Sequence, residues 1–235
     1  MKAIEAALPQ PFADARLGED LLWCDLRLPR SHHPLPALFL DRDGVIIKET
    51  IYLSDPDEVE LLPGIPQLIR AARALGMAVV EVTNQAGIAR GYFGWSDFVR
   101  VEDRLTEVLR EQGVGIDAVF ACPFHPQGKG PFRAQNHAWR KPNTGMLLEA
   151  AHLLNLDLQA SVLVGDKVMD LEAARGAGLA LGIHVLTGHG CDHETASRAV
   201  ASQDFPVRVV TRADEANNFL PEAIRGRGAQ PACAP

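Results

Sequence analysis

From residue 37 onward, short apolar runs alternate with stretches of helical spacing, a pattern that predicts βαβ units around a parallel sheet. Ala37–Leu40, Ala78–Val82, Ala118–Ala121, Ser161–Val164 and Val207–Val210 have strand length, and Leu181–Leu186 reads as a further strand. Strands buried on both faces should look continuously apolar, and most of these do. Ile65, Leu68, Ile69, Ala72 and Leu75 fall on one helical stripe, and Phe98, Val101, Leu105, Val108 and Leu109 on another. Ser96 is the expected N-cap of the second helix. Thr144 is the expected cap of a third that carries Met146, Leu147, Ala150 and Leu154, while Gly76 and Gly113 stand where helix C-termini favour glycine. The expected fold is therefore a Rossmann-like three-layer α/β/α domain over residues 37–220, with a central parallel sheet and no large cap domain.

The flanks read differently. Residues 1–36, rich in Ala and Pro, are expected to form an extended arm with an amphiphilic patch at Leu21, Leu22 and Trp23 and no chemistry of its own. Residues 221–235 offer too little apolar surface to offset the entropy of ordering them, so a flexible tail is expected there.

Composition narrows the class of partner. With 235 residues and 47% hydrophobic content the chain can bury one good-sized core. A net charge of −7 gives no global attraction to nucleic acid or an anionic membrane, which points to a small partner. Cys24, Cys122, Cys191 and Cys233 are scattered without a CxxC pair, as in a reducing compartment. No apolar run approaches the roughly 20 residues needed to span a bilayer, and the N-terminus lacks a signal-like apolar stretch. A cytoplasmic protein is expected. The pattern leaves oligomeric state open.

In an open parallel sheet the loops after the strands converge on one crevice. Here those loops carry Asp41 and Asp43 after the first strand, Thr83 after the second, and Asp166 after the fourth. Three carboxylates in one pocket repel unless a cation neutralises them. Mg²⁺, which takes a few oxygen ligands and bridges to substrate phosphate, suits Asp41, the Asp43 backbone carbonyl and Asp166.

Asp41-Arg42-Asp43-Gly44, Thr83, Lys141 and Gly165-Asp166-Lys167-Val168-Met169-Asp170 match, in order, the four motifs of the haloacid dehalogenase superfamily, which the chain resembles over residues 37–190. The resemblance implies that Asp41 is the nucleophile on phosphorus and that Asp43 is the general acid and then the base. It also implies that Thr83 donates to the phosphoryl group and that Lys141 offsets its charge. Asp170 is expected to orient Lys167 or a metal-bound water. Arg42, Asn84, Gln85 and Arg140 are candidate substrate-binding residues, Arg140 as a second positive charge for a second phosphate.

Thr83-Asn84-Gln85-Ala86-Gly87-Ile88-Ala89-Arg90-Gly91, Cys122-Pro123-Phe124-His125-Pro126 and Arg140-Lys141-Pro142 together resemble the heptose-1,7-bisphosphate 7-phosphatases and the related histidinol-phosphate phosphatases. The resemblance implies an enzyme of carbohydrate metabolism acting on a small phosphorylated sugar. Nucleic-acid 3′-phosphatases share some of these strings, but no clustered basic tract with aromatics accompanies them here. A non-catalytic binding protein is disfavoured by retention of Asp41, Asp43, Thr83, Lys141 and Asp166. Family members of this type usually carry a zinc loop of Cys and His ligands. Here Cys122 and His125 remain, Phe124 holds the position of one ligand histidine, and His137 and Trp139 stand where two cysteines belong. Structural Zn²⁺ is therefore expected to be absent, with Phe124, Phe132 and Trp139 packing the loop. His184, His189, Cys191 and His193 read as parts of a strand and a flexible connection.

Overall fold

Leu38 and Leu40 point to one side of the sheet, and Ala37 and Phe39 to the other; this two-sided burial makes the first parallel strand central. The structure is a computed structural model that describes residues 16–17 and 22–225. Its strands are β1 (Arg16–Leu17), β2 (Trp23–Leu26), β3 (Ala37–Leu40), β4 (Ala78–Asn84), β5 (Ala118–Cys122), β6 (Val162–Gly165), β7 (Leu181–Val185) and β8 (Val207–Val210). They form one sheet in the order β1-β2-β5-β4-β3-β6-β7-β8. β3 to β8 pair in parallel, and β2 and β1 add an antiparallel edge.

The helices are α1 (Ile65–Ala74), α2 (Ala86–Arg90), α3 (Trp95–Glu111), α4 (Gly145–Leu154), α5 (Val168–Gly176), α6 (Gly190–Ala199) and α7 (Leu220–Arg225). α1 and α3 bury Leu68, Ile69, Phe98 and Leu105 with Leu38, Leu40 and Val79, whereas α4 and α5 bury Met146, Leu147 and Leu171 with Phe39, Val80 and Phe120. The expected three layers are present. Residues 41–64, between β3 and α1, make only a small flap, with isolated bridges Asp43–Ile47 and Ile47–Leu61 and a single 3-10 turn at Pro56–Glu58.

Local details differ from the sequence reading. α3 begins one residue before Ser96: Gly94 is the N-cap, and its amide donates to the Asp97 carboxylate at 2.8 Å, which leaves Ser96 inside the first turn. Thr144 is at the N-cap of α4 but makes no side-chain cap bond. Gly76 and Gly113 adopt φ of 72° and 70° just after their helices, the left-handed stop that glycine takes without strain. Leu75 is the C-cap of α1 and is 37% exposed, so the stripe ends at Ala72.

The boundary expected at residue 37 cuts through the sheet. Trp23–Leu26 pairs with β5, and Trp23 stacks on Trp95 at 5.6 Å and meets Phe98 edge-on at 5.7 Å. At the other end, Leu220 and Ala223 of α7 are buried, so ordered structure continues past residue 220; the rest of the expected tail, residues 226–235, lies outside the described residues.

One position in β4 breaks the apolar rule. Glu81 is fully buried, and neither side-chain oxygen has a hydrogen-bond partner among the described residues. Burial, and then Glu102, push its pKa well above the usual carboxylate range. A raised folded pKa contributes stability that is complete below the ordinary value of 4.5 and is lost as pH climbs through the raised one. Glu81→Gln removes that loss. Its melting temperature relative to the parent is expected to rise as pH climbs above the ordinary carboxylate value of 4.5, measured by thermal melts in matched buffers. A difference that does not change with pH would show that Glu81 is not protonated in the fold.

Candidate active site

β3 delivers Asp41 to the carboxyl edge of the sheet, where its amide donates to Val164 of β6 at 3.1 Å. β6 ends beside it and delivers Asp166, and α5 begins immediately afterwards with Asp170 in its first turn. Asp41, Asp166 and Asp170 each place a carboxylate oxygen within 4.8 Å of the others. Two backbones close over Asp166: a Cβ at Gly44 (φ 87°) would sit 2.4 Å from its Oδ2, and one at Gly188 (φ 56°) 2.3 Å from the same atom. Only glycine fits either place.

The buried Lys141 ammonium is the hub of the polar groups. It lies 2.9 Å from Asp41 Oδ1 and 2.7 Å from Asp170 Oδ1, and donates to the Val82 carbonyl at 2.8 Å. Burial acts to lower its pKa, but Asp170 and Asp41 outweigh it, so the pKa is raised and the lysine stays charged. The other Asp170 oxygen accepts the Lys167 amide at 3.0 Å. Asp170 thus orients Lys141 and the backbone of Lys167, where the sequence suggested the Lys167 side chain or a water. The Lys167 ammonium instead pairs with Glu49 at 3.1 Å and stands 3.6 Å from Asp166.

Asp166 accepts the His189 amide on Oδ2 at 2.8 Å, while its buried Oδ1 has no hydrogen-bond partner among the described residues. Burial and then Asp41 push its pKa up to about 8. An orphaned carboxylate oxygen facing a second carboxylate is a donor set that fits a hard divalent cation. Asp41 and Asp166 have oxygens to offer. Asp170, with both oxygens engaged, supports them.

Asp43 is held from two sides. Arg42 grips both its oxygens, Nε on Oδ1 and Nη2 on Oδ2, each at 3.1 Å, and Gln85 Nε2 donates to Oδ2 at 2.9 Å. The same Gln85 nitrogen lies 2.8 Å from the buried Thr83 hydroxyl. Asn84 brackets Lys141, donating to its carbonyl at 3.0 Å and accepting its amide at 3.1 Å.

Of the candidate substrate-binding residues, Arg42, Asn84 and Gln85 line the cavity, and each is also bonded within the protein. The Arg42 guanidinium, 1% exposed, is bonded to Asp43 and Glu102. The amides of Gln85 and Asn84 are bonded to Asp43, Thr83 and Lys141. The Arg140 guanidinium turns aside and donates to the Phe124 carbonyl at 3.1 Å.

The cavity over Asp41 has a volume of about 270 Å³ and is walled by Asp43, Lys141, Lys167, Met169 and Phe93, by the flap residues Glu49 to Leu53, and by His189. The sequence reading missed Glu49, Tyr52, Thr187 and His189. Thr187 donates to the Gly44 carbonyl, and residues 187–190 lead directly into α6. The available signal was their place just after β7, the same strand-end logic that found Asp166. His184 is buried in β7 and bonds the Gly190 carbonyl, away from the site.

In the β5–α4 loop, Cys122 Sγ lies 3.9 Å from His137 Nδ1, and the Phe124 ring stacks on His137 at 3.9 Å. His125 turns to other partners: its Nδ1 accepts the Gln127 amide at 3.0 Å, and its Nε2 lies 3.2 Å from Arg90. Phe124 meets Phe132 edge-on at 6.0 Å, whereas Trp139 packs on Phe120 of the sheet at 5.8 Å. Aromatic packing occupies the heart of this loop.

Comparison with known proteins agrees with this geometry. The HAD-hydrolase-like family profile matches residues 138–213. A D-glycero-beta-D-manno-heptose-1,7-bisphosphate 7-phosphatase of Mesorhizobium japonicum is 55% identical over 167 residues, which are 71% of this chain and 77% of the relative. A D-glycero-alpha-D-manno-heptose-1,7-bisphosphate 7-phosphatase of Burkholderia mallei is 43% identical over 173 residues, 73% of this chain and 88% of the relative. Among solved structures, the D,D-heptose 1,7-bisphosphate phosphatase from B. bronchiseptica, complexed with magnesium and phosphate, superposes with a TM-score of 0.69 at 31% identity, covering 80% of this chain and 99% of that one.

Proposed function

Since the chain belongs to the haloacid dehalogenase-like family of heptose-1,7-bisphosphate 7-phosphatases and is a phosphatase, we propose that it removes the 7-phosphate of D-glycero-D-manno-heptose 1,7-bisphosphate in a Mg²⁺-dependent reaction through an aspartyl-phosphate. The observation that carries this reading is the Asp41 carboxylate on the cavity wall, 2.9 Å from a buried ammonium and within 4.8 Å of Asp166. Mg²⁺, held by Asp41, Asp166 and the Asp43 carbonyl, supplies positive charge against the phosphoryl oxygens.

The protein's own groups do the rest. Asp41 attacks phosphorus as the bond from phosphorus to the sugar oxygen breaks, and Asp43 gives that oxygen its proton. Asp43, now a carboxylate, takes a proton from the water that attacks phosphorus and breaks the Asp41–phosphorus bond. Inorganic phosphate leaves. Lys141 offsets charge on Asp41 and the transferring group, and Thr83 offers its hydroxyl to a phosphoryl oxygen. The net charge of −7 supports a small anionic substrate over a polynucleotide. No helix among the described residues is long and apolar enough to cross a membrane. Cys122 and Cys191 are free thiols, which supports work in a reducing compartment.

The test is phosphate release, with and without Mg²⁺, from both anomers of the heptose bisphosphate, other sugar phosphates, histidinol phosphate and a 3′-phosphorylated oligonucleotide. A Mg²⁺-dependent preference for a heptose bisphosphate is expected, and a preference for another compound would overturn the substrate assignment. In a companion thermal melt, Mg²⁺ is expected to raise the melting temperature of the parent and leave Asp166→Asn unmoved, with turnover of that variant lowered on the order of 100-fold. An undiminished Mg²⁺ shift in Asp166→Asn would remove Asp166 from the metal site.

A further inference from the structure

Beneath the cavity, on the α3 side of the sheet, lies a buried set of charges that the proposed chemistry does not use. Glu102 of α3 and Glu81 of β4 are 1% and 0% exposed, and Arg42 is 1% exposed. The ion pair between Asp25 of β2 and Arg27 just after it, at 2.7 Å, is buried as well. Arg42 is the link between this set and the site. Its Nη1 donates to Glu102 Oε1 at 2.9 Å while Nε and Nη2 hold the two oxygens of Asp43, and its guanidinium lies 5.3 Å from the centre of the Phe98 ring.

A guanidinium is a planar fork, so fixing one edge fixes the direction of the others. With Glu102 on one edge and Phe98 against its face, the Arg42 fork can meet Asp43 in only one orientation. Phe98 and Glu102 are four residues apart and both are buried, so α3 presents the aromatic and the carboxylate to Arg42 together. Two buried carboxylates next to one guanidinium would otherwise compete for it. Burial pushes both glutamates up, Glu81 well above the usual carboxylate range, and it is Glu102 that accepts the Arg42 hydrogen bond while Glu81 accepts none.

We propose that Glu102 is a positioning residue for the reaction: by pairing with Arg42 it fixes the fork that aims the Asp43 carboxylate at the leaving oxygen. The inference rests on the reading of Asp43 as the proton donor to that oxygen. Holding such a donor within hydrogen-bond reach matters most when the departing group needs the proton. A sugar alkoxide needs it. A p-nitrophenolate leaves without one.

The experiment compares kcat/KM for heptose 1,7-bisphosphate with kcat/KM for p-nitrophenyl phosphate. Both ratios end at the first irreversible step, so hydrolysis of the phosphoenzyme does not enter either. Four variants of the full chain are measured beside the parent: Asp43→Asn, Glu102→Gln, Glu102→Asp and Glu81→Gln. Asp43→Asn should lower the sugar-to-aryl ratio on the order of 100-fold. Glu102→Gln and Glu102→Asp should each lower it by about tenfold, with KM for the sugar phosphate little changed. Glu81→Gln changes a neighbouring buried acid that makes no hydrogen bond to Arg42, keeps its shape, and should leave the ratio unchanged.

A general loss of packing lowers both substrates together and does not move the ratio. If Asp43→Asn lowers the ratio and folded Glu102 variants do not, the inference is overturned and the role of Asp43 stands. If Asp43→Asn itself leaves the ratio unchanged, the reading of Asp43 fails and takes the inference with it. A drop in Glu81→Gln as large as in Glu102→Gln would assign the effect to the buried charge in general and overturn the specific role. Should Glu102→Gln not fold, Glu102→Asp, which keeps the charge and withdraws it from Arg42, carries the same comparison.

Discussion

Asp41→Asn is expected to fold and to lose turnover, with kcat down on the order of 10⁴-fold or more. The amide keeps the shape of the carboxylate, and its oxygen can still accept the Arg42 amide that Asp41 Oδ1 accepts at 2.8 Å. What disappears is the charge, and with it the nucleophile and one metal ligand. The effect on stability is expected to be small because two changes oppose each other. The ion pair with Lys141 is lost, but the repulsion that helps push Asp166 up to about 8 is lost as well. Phosphate release and a thermal melt on the same preparation check both parts. Turnover within tenfold of the parent would sink the mechanism, since no other carboxylate on the cavity wall has the same relation to Lys141 and Asp166.

Lys141→Met is expected to damage both activity and fold. Lys141 is the shared counter-ion of Asp41 and Asp170, at 2.9 and 2.7 Å, and removing it leaves buried acid without a partner. Breaking a buried pair from one side typically costs about 3–5 kcal/mol, and losing a preorganised cation at the transferring group on the order of 10³ in kcat. The sign with pH follows from the raised pKa values. Lys141, raised by Asp170 and Asp41, contributes stability throughout the range below its ordinary 10.5, so its loss is felt at neutral pH. Asp170 is already raised, by burial first, and without Lys141 it is raised further. Protonating it relieves the uncompensated charge, so the variant should recover stability towards acid. Urea unfolding at about pH 5.5 and pH 8.5 should show the larger deficit at the higher pH, and a deficit equal at both would mean that Asp170 is not the group left exposed by the change.

The parallel strands could be read from the chain because each is a contiguous apolar run, and the site acids because each directly follows one. Asp41, Asp43 and Asp166 were singled out as candidates this way, and the fold brings them to one edge of the sheet, Asp41 and Asp43 on the cavity wall and Asp166 within 4.8 Å of Asp41. The same logic, extended to β7, would have reached Thr187 and His189, which the residue types around them disguised as a loose connection. β2 was harder to see. It is four residues long with a half-buried pattern, and its partners, β5 and Trp95, are more than seventy residues away.

Periodicity and motif spacing are local properties of the chain, so the layers, the strand ends and the acids and cations available for chemistry could be read along it. What each of those groups faces is set by packing. Arg42, next to the nucleophile, turns inward to a glutamate sixty residues away; Asn84 and Gln85 are taken up by Lys141 and Asp43; and Arg140 points away from its neighbour Lys141. The reason is desolvation. A charged or amide group in the interior must find a partner or lose several kcal/mol, and which partner lies within 3 Å is set by how helices and strands pack.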